Sequence, residues 1–338
     1  MGFAYLYKIG FRFDQAHLAY PYVELPEELK AIPGFTVLNE RKYMRLFSSY
    51  LYTNKGYICE LGCTFGSFTA SLASGLKKGS KKIHSYDIFT WHKSFGDILY
   101  QTEFKDTLEY GKSFQHVFNH YTSKYDSHIE ASPTDINKVL WDEGKAIEFL
   151  LVDAMKSEFL ADTILKKFYK HLELGSIVYQ QDFCHFHEPW IHLIHYKFKD
   201  NFTFVCHIEN TPSAVFKMKK TIEPEKLQEG FSLNAFSIDQ IHESFDFSAS
   251  LIKEEPARQN VLAAKSYCLF ACHFFKEANL TLSKVLDSYE FVEKGNLEFV
   301  VKIAEQVKKD ETLILEEMNE RGKNLLTDLD YITNATFD

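Results

Sequence analysis

The sequence contains few cysteines, no long apolar run and fewer basic than acidic residues. Its 338 residues include six cysteines, most of them in core-like settings, which is the pattern of reduced thiols in a cytoplasm. No run approaches the ~20 apolar residues of a membrane-spanning helix, and the N-terminus lacks the charged segment that opens a signal peptide. We therefore expect a cytoplasmic protein without a membrane partner.

The shortage of basic residues bears on nucleic acids. The chain has 38 Lys and Arg against 47 Asp and Glu, a formal net charge of −9. Because phosphate binding depends mainly on Lys and Arg, this charge argues against a nucleic-acid partner, although a local basic patch could still exist. The 45% hydrophobic and 25% charged fractions are those of a globular protein, and the length suits one large domain or two ordinary ones.

Residues 58–66 are the most informative stretch that is present. A strand-like run ends there in Glu60-x-Gly62-x-x-x-Gly66, a helix-compatible segment follows, and the next strand-like run ends in Asp87. A Gly-rich turn lets backbone pass close to a ligand, and a helix N-terminus offers free N–H groups. An acid at the tip of the next strand is placed to bind a ribose diol. The pattern favours a nucleoside-containing cofactor.

Strand and helix patterns alternate along the middle of the chain. The strand candidates are 56–61, 82–87, 127–130, 147–152, 174–180, 202–209 and 213–218. The helix candidates are 39–53, 66–77, 100–122, 133–141, 157–172 and 188–198. This alternation predicts a parallel sheet covered on both faces. The gap between the last two strands has no room for a helix, so they should pair as an antiparallel hairpin.

The character of the sequence changes near residue 219. A polar, Pro-containing junction is followed, beyond residue 258, by helical periodicity only. The segments with this periodicity are 259–277, 280–292, 297–308 and the mostly charged 310–330. We expect an N-terminal extension or cap over 1–38, an α/β cofactor-binding domain over 39–220 and a helical C-terminal domain over 221–338.

Two motifs carry a resemblance to a known family. Glu60-Leu-Gly62-Cys-Thr-Phe-Gly66-Ser67 resembles the first motif of class I S-adenosylmethionine-dependent methyltransferases, and Asp87-x-Phe89 resembles the second. The ordered set of motifs over roughly residues 40–218 is similar to the macrocin O-methyltransferase-like group, which acts on sugars and natural products. The resemblance implies a Rossmann-like sheet, mostly parallel and closed by an antiparallel hairpin. It also implies S-adenosyl-L-methionine as cofactor and methylation of a small-molecule acceptor at oxygen.

The resemblance also implies roles for single residues. The turn from Gly62 to Gly66 would approach the methionine part of the cofactor, and Glu60 would lie near its ammonium end. Asp87 would accept hydrogen bonds from the ribose hydroxyls. The residues implied to bind the cofactor are Glu60, Gly62, Cys63, Gly66, Ser67, Asp87, Ile88, Phe89, Ser132 and Asp153. Ile88 or Phe89 would flank the adenine, and Ser132 belongs to a stretch that would reach its edge or is a plain N-cap sequence.

A nicotinamide-dependent dehydrogenase shares the same layout of strand, Gly turn, helix, strand and acid. Its fingerprint needs Gly-x-Gly-x-x-Gly, and Gly62-Cys-Thr-Phe-Gly66 lacks the tight Gly-x-Gly. The closing antiparallel hairpin also favours the methyltransferase.

The acceptor half of the site departs from the family pattern. The family holds a divalent cation with acids at the ends of its fourth and fifth strands. Asp153 and Asp182 keep two of those acids, whereas Met155 and Gln181 stand where the family has others. Asp153, Gln181 and Asp182 could form a magnesium shell or a decayed one. Such a metal would lower the pKa of a bound substrate hydroxyl.

A cluster of histidines follows Asp182. Its members are His185, His187, His192 and His195. Those next to Asp182 could act as the general base, could bind a transition metal, or could be plain polar residues before a helix. We predict Asp153, Asp182, His185 and His187 as the catalytic residues.

Two other functions stay open at this point. One is a metal-dependent, non-methylating relative, such as a hydroxylase-like enzyme. The other is an interaction protein on a degenerate methyltransferase fold, which the lost acids at positions 155 and 181 favour. Helices such as 259–277 could line the acceptor cleft or form the interface of a homodimer.

Overall fold

The computed structural model describes residues 8–92, 95, 98–186 and 188–288. Within that part, the chain divides into two compact units. The first contains residues 8–154, 163–181 and 200–229, and the second contains 155–162, 182–199 and 230–288. The predicted domain boundaries near residues 38 and 220 stay a prediction. The segments 297–308 and 310–330 lie outside the described residues.

The first unit is built on one sheet. Its strands are β1 Tyr57–Leu61, β2 Ile83–Asp87, β3 Ile129–Pro133, β4 Ile147–Val152, β5 Leu172–Gln180, β6 Phe202–His207 and β7 Ala214–Met218. The seven strands lie in the order β3-β2-β1-β4-β5-β7-β6. Strands β1 to β5 run parallel, and β7 runs antiparallel to both β5 and β6. The predicted fold, a mostly parallel Rossmann-like sheet closed by an antiparallel hairpin, is confirmed.

Helices connect these strands and make up much of the second unit. They are α1 Glu27–Lys30, α2 Leu38–Leu46, α3 Ser67–Ala73, α4 Gln115–Thr122, α5 Glu158–Lys167, α6 Pro189–Lys197, α7 Pro224–Gln228, α8 Ile238–Leu251, α9 Glu255–Ala271 and α10 Phe275–Ser288. The prediction of a helical region after the sheet is confirmed for the described residues up to 288. No helix in that described part is both long and apolar enough to cross a membrane.

Two of the predicted helices are wrong or too long. Only Gln115–Thr122 of the segment 100–122 is helical, because Gly111 inside it has a φ of 75°, a left-handed conformation that ends helical geometry. The segment 133–141 contains only a short 3₁₀ turn, Ile136–Lys138. There the Asp135 side chain accepts from the Asn137 N–H, a local bond that competes with helix formation.

Aromatic side chains fill the core under the central strands. The Phe149 ring on β4 lies 4.3 Å from the Phe47 ring, which directly follows α2. Tyr179 on β5 packs against Tyr43 of α2 at 5.5 Å between ring centroids. All four side chains are at most 2% exposed. Aromatic pairs at these separations add to the stabilisation that burial of the rings provides, and they fix α2 against the sheet.

A buried arginine ties the segment before α2 to the sheet domain. Arg41 is 4% exposed and donates to Thr36 Oγ1, Thr36 O, Leu29 O and Lys30 O. The Thr36 hydroxyl in turn lies 2.8 Å from the hydroxyl of Ser67, the first residue of α3. Because α3 follows the Gly62–Gly66 turn, this segment is held beside the predicted cofactor loop.

Candidate functional site

The loops that follow the parallel strands meet at one edge of the sheet. Backbone hydrogen bonds continue there beyond the strand ends. The Gly62 N–H donates to Tyr86 O at 2.8 Å, and the Asp153 N–H donates to Leu61 O at 2.9 Å. Parallel strands end at the same edge, and that edge is where open α/β sheets bind ligands. The first-motif turn therefore lies between the ends of β2 and β4.

The turn between β1 and α3 needs both of its glycines. Gly62 has a φ of 87°, and a Cβ placed on it would lie 2.7 Å from Asp153 O. Gly66 has a φ of 84° and precedes α3, and its Cβ would lie 2.5 Å from Thr122 Cγ2. Both separations are shorter than the contacts that Cβ atoms make in proteins, so a side chain at either position would clash with its neighbour. The Gly66 N–H donates to Cys63 O at 2.8 Å, which closes the turn.

Asp87 joins this turn to the loop after β2. Its Oδ2 accepts from the Thr64 N–H and its Oδ1 accepts from the Phe89 N–H, each at 2.8 Å. Burial raises the pKa of the Asp87 carboxyl, and the backbone N–H groups act in the opposite direction. Each carboxylate oxygen has two acceptor sites. Asp87 can therefore hold both loops and still accept from a ligand diol.

Glu60 lies under the turn and carries a buried oxygen that has no partner. The side chain is 0% exposed, and its Oε2 accepts from Thr69 Oγ1 at 2.6 Å and from Ser85 Oγ at 2.8 Å. Its Oε1 has no hydrogen-bond partner among the described residues. Burial raises the pKa of Glu60 to about 7, against the effect of the two hydroxyls. An ionised Glu60 would suit a cationic ligand group.

The two candidates for the adenine flank differ in where their side chains lie. Phe89 is 0% exposed, and its ring packs against Phe114 at 5.6 Å and Phe118 at 5.2 Å. Ile88 is only half-buried. Because the Phe89 ring belongs to the aromatic core, Ile88 is the candidate that the structure leaves for contact with a base.

The remaining predicted cofactor residues lie along the same edge. Cys63 is 4% exposed and Ser67 is 5% exposed, and the Ser67 hydroxyl is the one bonded to Thr36. Asp153 directly follows β4 and is half-buried. The sequence placed Ser132 in a loop after the third strand, but β3 continues to Pro133, and Ser132 pairs with Tyr86 inside the sheet.

The second unit holds the other predicted catalytic residues that the structure describes. The Lys156 ammonium contacts Oδ2 of Asp182. His185 Nδ1 lies 2.8 Å from Oε2 of Glu188. Burial acts to lower the pKa of His185, but the Glu188 and Asp182 carboxylates outweigh it, so the net pKa is raised. His187 lies outside the described residues.

The two histidines on α6 belong to the core of the second unit. His192 is 0% and His195 is 3% exposed, and burial lowers the pKa of each to about 3. The His192 ring packs against Phe245 at 4.6 Å and Phe183 at 5.0 Å. Neutral, buried imidazoles of this kind pack as aromatic side chains.

The predicted divalent cation fits these residues poorly. In the part of the chain that the structure describes, no group of three or more His, Cys, Asp or Glu side chains is arranged to hold a metal ion. Met155 is 1% exposed and offers no hard oxygen ligand, and the amide of Gln181 carries no charge. Asp182 already has the Lys156 ammonium as a contact.

Sequence reasoning missed the side-chain partners of candidate residues in each of the two units. Thr69, Ser85, Lys156 and Glu188 were not singled out as partners of Glu60, Asp182 and His185. Glu188 could have been found, because a carboxylate three residues after a histidine is within reach of it in a turn. Lys156 and Asp182 are 26 residues apart in the sequence, and no local sequence pattern predicts that they pair.

Replacing Glu60 by Gln should stabilise the protein near neutral pH, by an amount that grows with pH. The pKa of Glu60 is about 7 in the folded protein against an ordinary value of 4.5. Between these values only the folded state holds the proton, so the free energy of unfolding of the parent protein falls as pH rises. The full loss, on the order of 3 kcal/mol, is present above pH ~7. The Glu60→Gln variant has no such proton.

Urea unfolding of both proteins from about pH 5 to about pH 8 would measure this difference. Glu173→Gln, at an exposed position of β5, controls for the loss of one negative charge on the same sheet. A difference between Glu60→Gln and the parent that stays constant over this range would contradict a pKa raised by burial.

Solved structures that are similar in fold include O-methyltransferases, an N-methyltransferase and a putative rRNA methylase. NovP has 12% identity and a TM-score of 0.43, over 65% of this chain and 100% of that one. TomG from Streptomyces achromogenes, involved in tomaymycin synthesis, has 13% identity and a TM-score of 0.40, over 61% and 95%. The calicheamicin methyltransferase CalS11 has 15% identity and a TM-score of 0.39, over 60% and 90%. No protein-family model and no curated protein matches the sequence. The likeness to these chains is one of fold.

Proposed function

We propose that the protein binds S-adenosyl-L-methionine at the carboxyl edge of its sheet and transfers the methyl group to a hydroxyl oxygen of a small molecule, a sugar or a natural product. One observation carries the proposal. The Gly62–Gly66 turn is fastened by Asp87 to the next strand, and it lies over Glu60, whose buried Oε1 has no partner in the described residues. This arrangement combines acceptors for a ribose diol with a buried acid that suits an ammonium group.

Each residue of this edge has a separate task in the proposal. The backbone of the tight turn approaches the amino-acid part of the cofactor, in a conformation that requires glycine at positions 62 and 66. The Asp87 oxygens accept from the ribose hydroxyls while they hold Thr64 and Phe89. Glu60 supplies negative charge for the ammonium group, and Ile88 lies against the base. The cofactor, when bound, supplies a sulfonium methyl that an oxygen nucleophile attacks in line.

Removal of the acceptor's hydroxyl proton is the second half of the proposal. We assign it to Asp153, Asp182, His185 and His187, of which His187 lies outside the described residues. The Glu188 carboxylate next to Nδ1 of His185 favours the tautomer with its proton on Nδ1 and its lone pair on Nε2. An imidazole in that form is suited to accept a proton, a role that contributes ~10²–10⁴-fold to a rate.

The proposal places this reaction in the cytoplasm. All six cysteines are free and buried, which supports a reducing compartment.

Calorimetry with the purified chain tests the cofactor assignment. S-adenosylmethionine and S-adenosylhomocysteine should both bind, with a Kd in the range of about 1 to 100 µM. NAD, which shares the adenosine part, should bind far more weakly, because the turn lacks the Gly-x-Gly that a dinucleotide needs. Absence of binding at cofactor concentrations near ~1 mM would contradict the proposal.

A further inference from the structure

Lys156 and Asp182 form an ion pair inside the second unit. The Lys156 ammonium contacts Oδ2 of Asp182, whose side chain is 8% exposed, while the Lys156 side chain is 37% exposed. A carboxylate that is nearly buried needs a positively charged partner, or hydrogen bonds to all of its acceptor sites. Lys156 supplies the charge that Asp182 requires.

The fold holds both members of this pair in place. Lys156 directly follows Met155, which is 1% exposed and whose carbonyl accepts from Trp190 Nε1 at 2.6 Å. Asp182 opens a turn in which its own carbonyl accepts from the His185 N–H at 3.0 Å. Trp190 lies on α6, the helix that this turn leads into. Both chain segments are therefore fixed beside the start of α6, unlike the partners of a surface ion pair that order only when they meet.

This pair occupies a carboxylate that a metal would need. A magnesium ion takes hard oxygen ligands, and its binding depends on the negative charge that they bring. Lys156 cancels the charge of Asp182, and an ammonium this close repels a divalent cation. Met155 and Gln181 bring no compensating charge. The donor set lacks both the geometry and the charge for a divalent cation.

We propose that the Lys156 ammonium stands in for a divalent cation at Asp182, and that the methyl transfer proposed for this protein needs no metal. The inference rests on the proposed function only in that last clause; the ion pair and its effect on metal binding stand without it. An ammonium has three N–H donors and stabilises negative charge on an oxygen that it contacts.

A manganese-binding experiment tests the inference. The full chain is first treated with a chelator, and the electron paramagnetic resonance signal of free Mn²⁺ then measures how much metal the protein binds. The parent protein should bind no Mn²⁺ at about 1 mM metal. The double variant Lys156→Met with Gln181→Asp removes the ammonium and restores an acid. It should bind Mn²⁺ at least ~10-fold more tightly than the parent. Adding Asp182→Asn to that double variant should abolish the gain.

Lys170→Met is the matched control. It breaks a lysine–carboxylate pair with Glu143 on the surface and should leave Mn²⁺ binding as in the parent. Tight Mn²⁺ binding by the parent, with a Kd below about 100 µM, would overturn the inference. So would equal Mn²⁺ affinities of the parent and the Lys156→Met, Gln181→Asp variant.

A stability cycle guards against loss of folding in these variants. Lys156→Met leaves Asp182 nearly buried without its cation and should lower the melting temperature by several degrees, more than Lys170→Met does. Adding Asp182→Asn should recover most of that loss, because the nearly buried negative charge that Lys156 offsets is then removed as well. If Asp182→Asn recovers nothing, Lys156 does not serve Asp182 and the inference fails.

Cofactor calorimetry separates this inference from the proposed function. A parent protein that binds neither S-adenosylmethionine nor Mn²⁺ refutes the methyltransferase and leaves the ion pair as assigned. A parent protein that binds both S-adenosylmethionine and Mn²⁺ supports the cofactor site but refutes the inference that Lys156 replaces a divalent cation.

Discussion

Gly62→Ala is expected to weaken S-adenosylmethionine binding by at least ~100-fold, the equivalent of about 3 kcal/mol. The added Cβ would lie 2.7 Å from Asp153 O. The N–H groups of both residues, Gly62 and Asp153, donate to the backbone of neighbouring strands, which fixes their positions. The turn must therefore move away from Asp153, which displaces the backbone that would face the cofactor. Calorimetry gives the affinity, and thermal unfolding reports the accompanying loss of stability.

Gly79→Ala separates the steric effect from backbone strain. Gly79 has a φ of 86°, nearly that of Gly62, but a Cβ on it would meet nothing within 4 Å. Both variants should lose the ~1–2 kcal/mol that a left-handed residue with a side chain costs. Only Gly62→Ala should lose the cofactor. Equal affinities in the two variants, with both folded, would show that the approach of Gly62 to Asp153 has no part in binding.

The sheet could be predicted from the sequence because its signals are local. The central strands β1 and β4 are short, mostly apolar runs, and all seven predicted strands have observed counterparts. The hairpin followed from the length of one connection, which had no room for a helix. Chain length between strands restricts topology strongly, so the order of motifs along the chain was enough to give the fold.

The helices that were missed show where local signals compete. The sequence predicts one helix over 259–277, but α9 ends at Ala271 and α10 begins at Phe275, with His273 between them at a φ of 64°. Helix α8 was not predicted at all, although Ser237 and Gln240 form a capping box at its start. Apolar periodicity alone does not show a single residue that turns the chain.

The acidic residues of the candidate site could be predicted from the sequence, but the side chains that contact them could not. Glu60 and Asp87 were identified from their places at strand ends, and the structure brings both to the Gly62–Gly66 turn. The cation beside Asp182 comes from Lys156, far away in sequence, and its presence changes what Asp182 can bind. Contacts between distant segments depend on side-chain packing, which a motif does not encode.

Asp87→Ala should also weaken S-adenosylmethionine binding by at least ~100-fold, for two reasons that experiment can separate. The carboxylate holds the Thr64 and Phe89 N–H groups, so its removal leaves two donors unpaired and loosens the first-motif turn. It would also remove the proposed acceptors for the ribose hydroxyls. Asp142→Ala, which removes an exposed carboxylate that accepts from the Gly144 N–H, controls for the loss of a comparable side chain.

A cycle with the 2′-deoxy analogue of S-adenosylhomocysteine distinguishes the two contributions. If Asp87 binds the diol, the parent should prefer the ribose form by ~10-fold or more, the worth of a charge-assisted hydrogen bond. The Asp87→Ala variant should bind both forms about equally, because the group that tells them apart is gone. A preference that survives in Asp87→Ala would limit Asp87 to holding the two loops together. The ribose would then have to be recognised by another group at this edge.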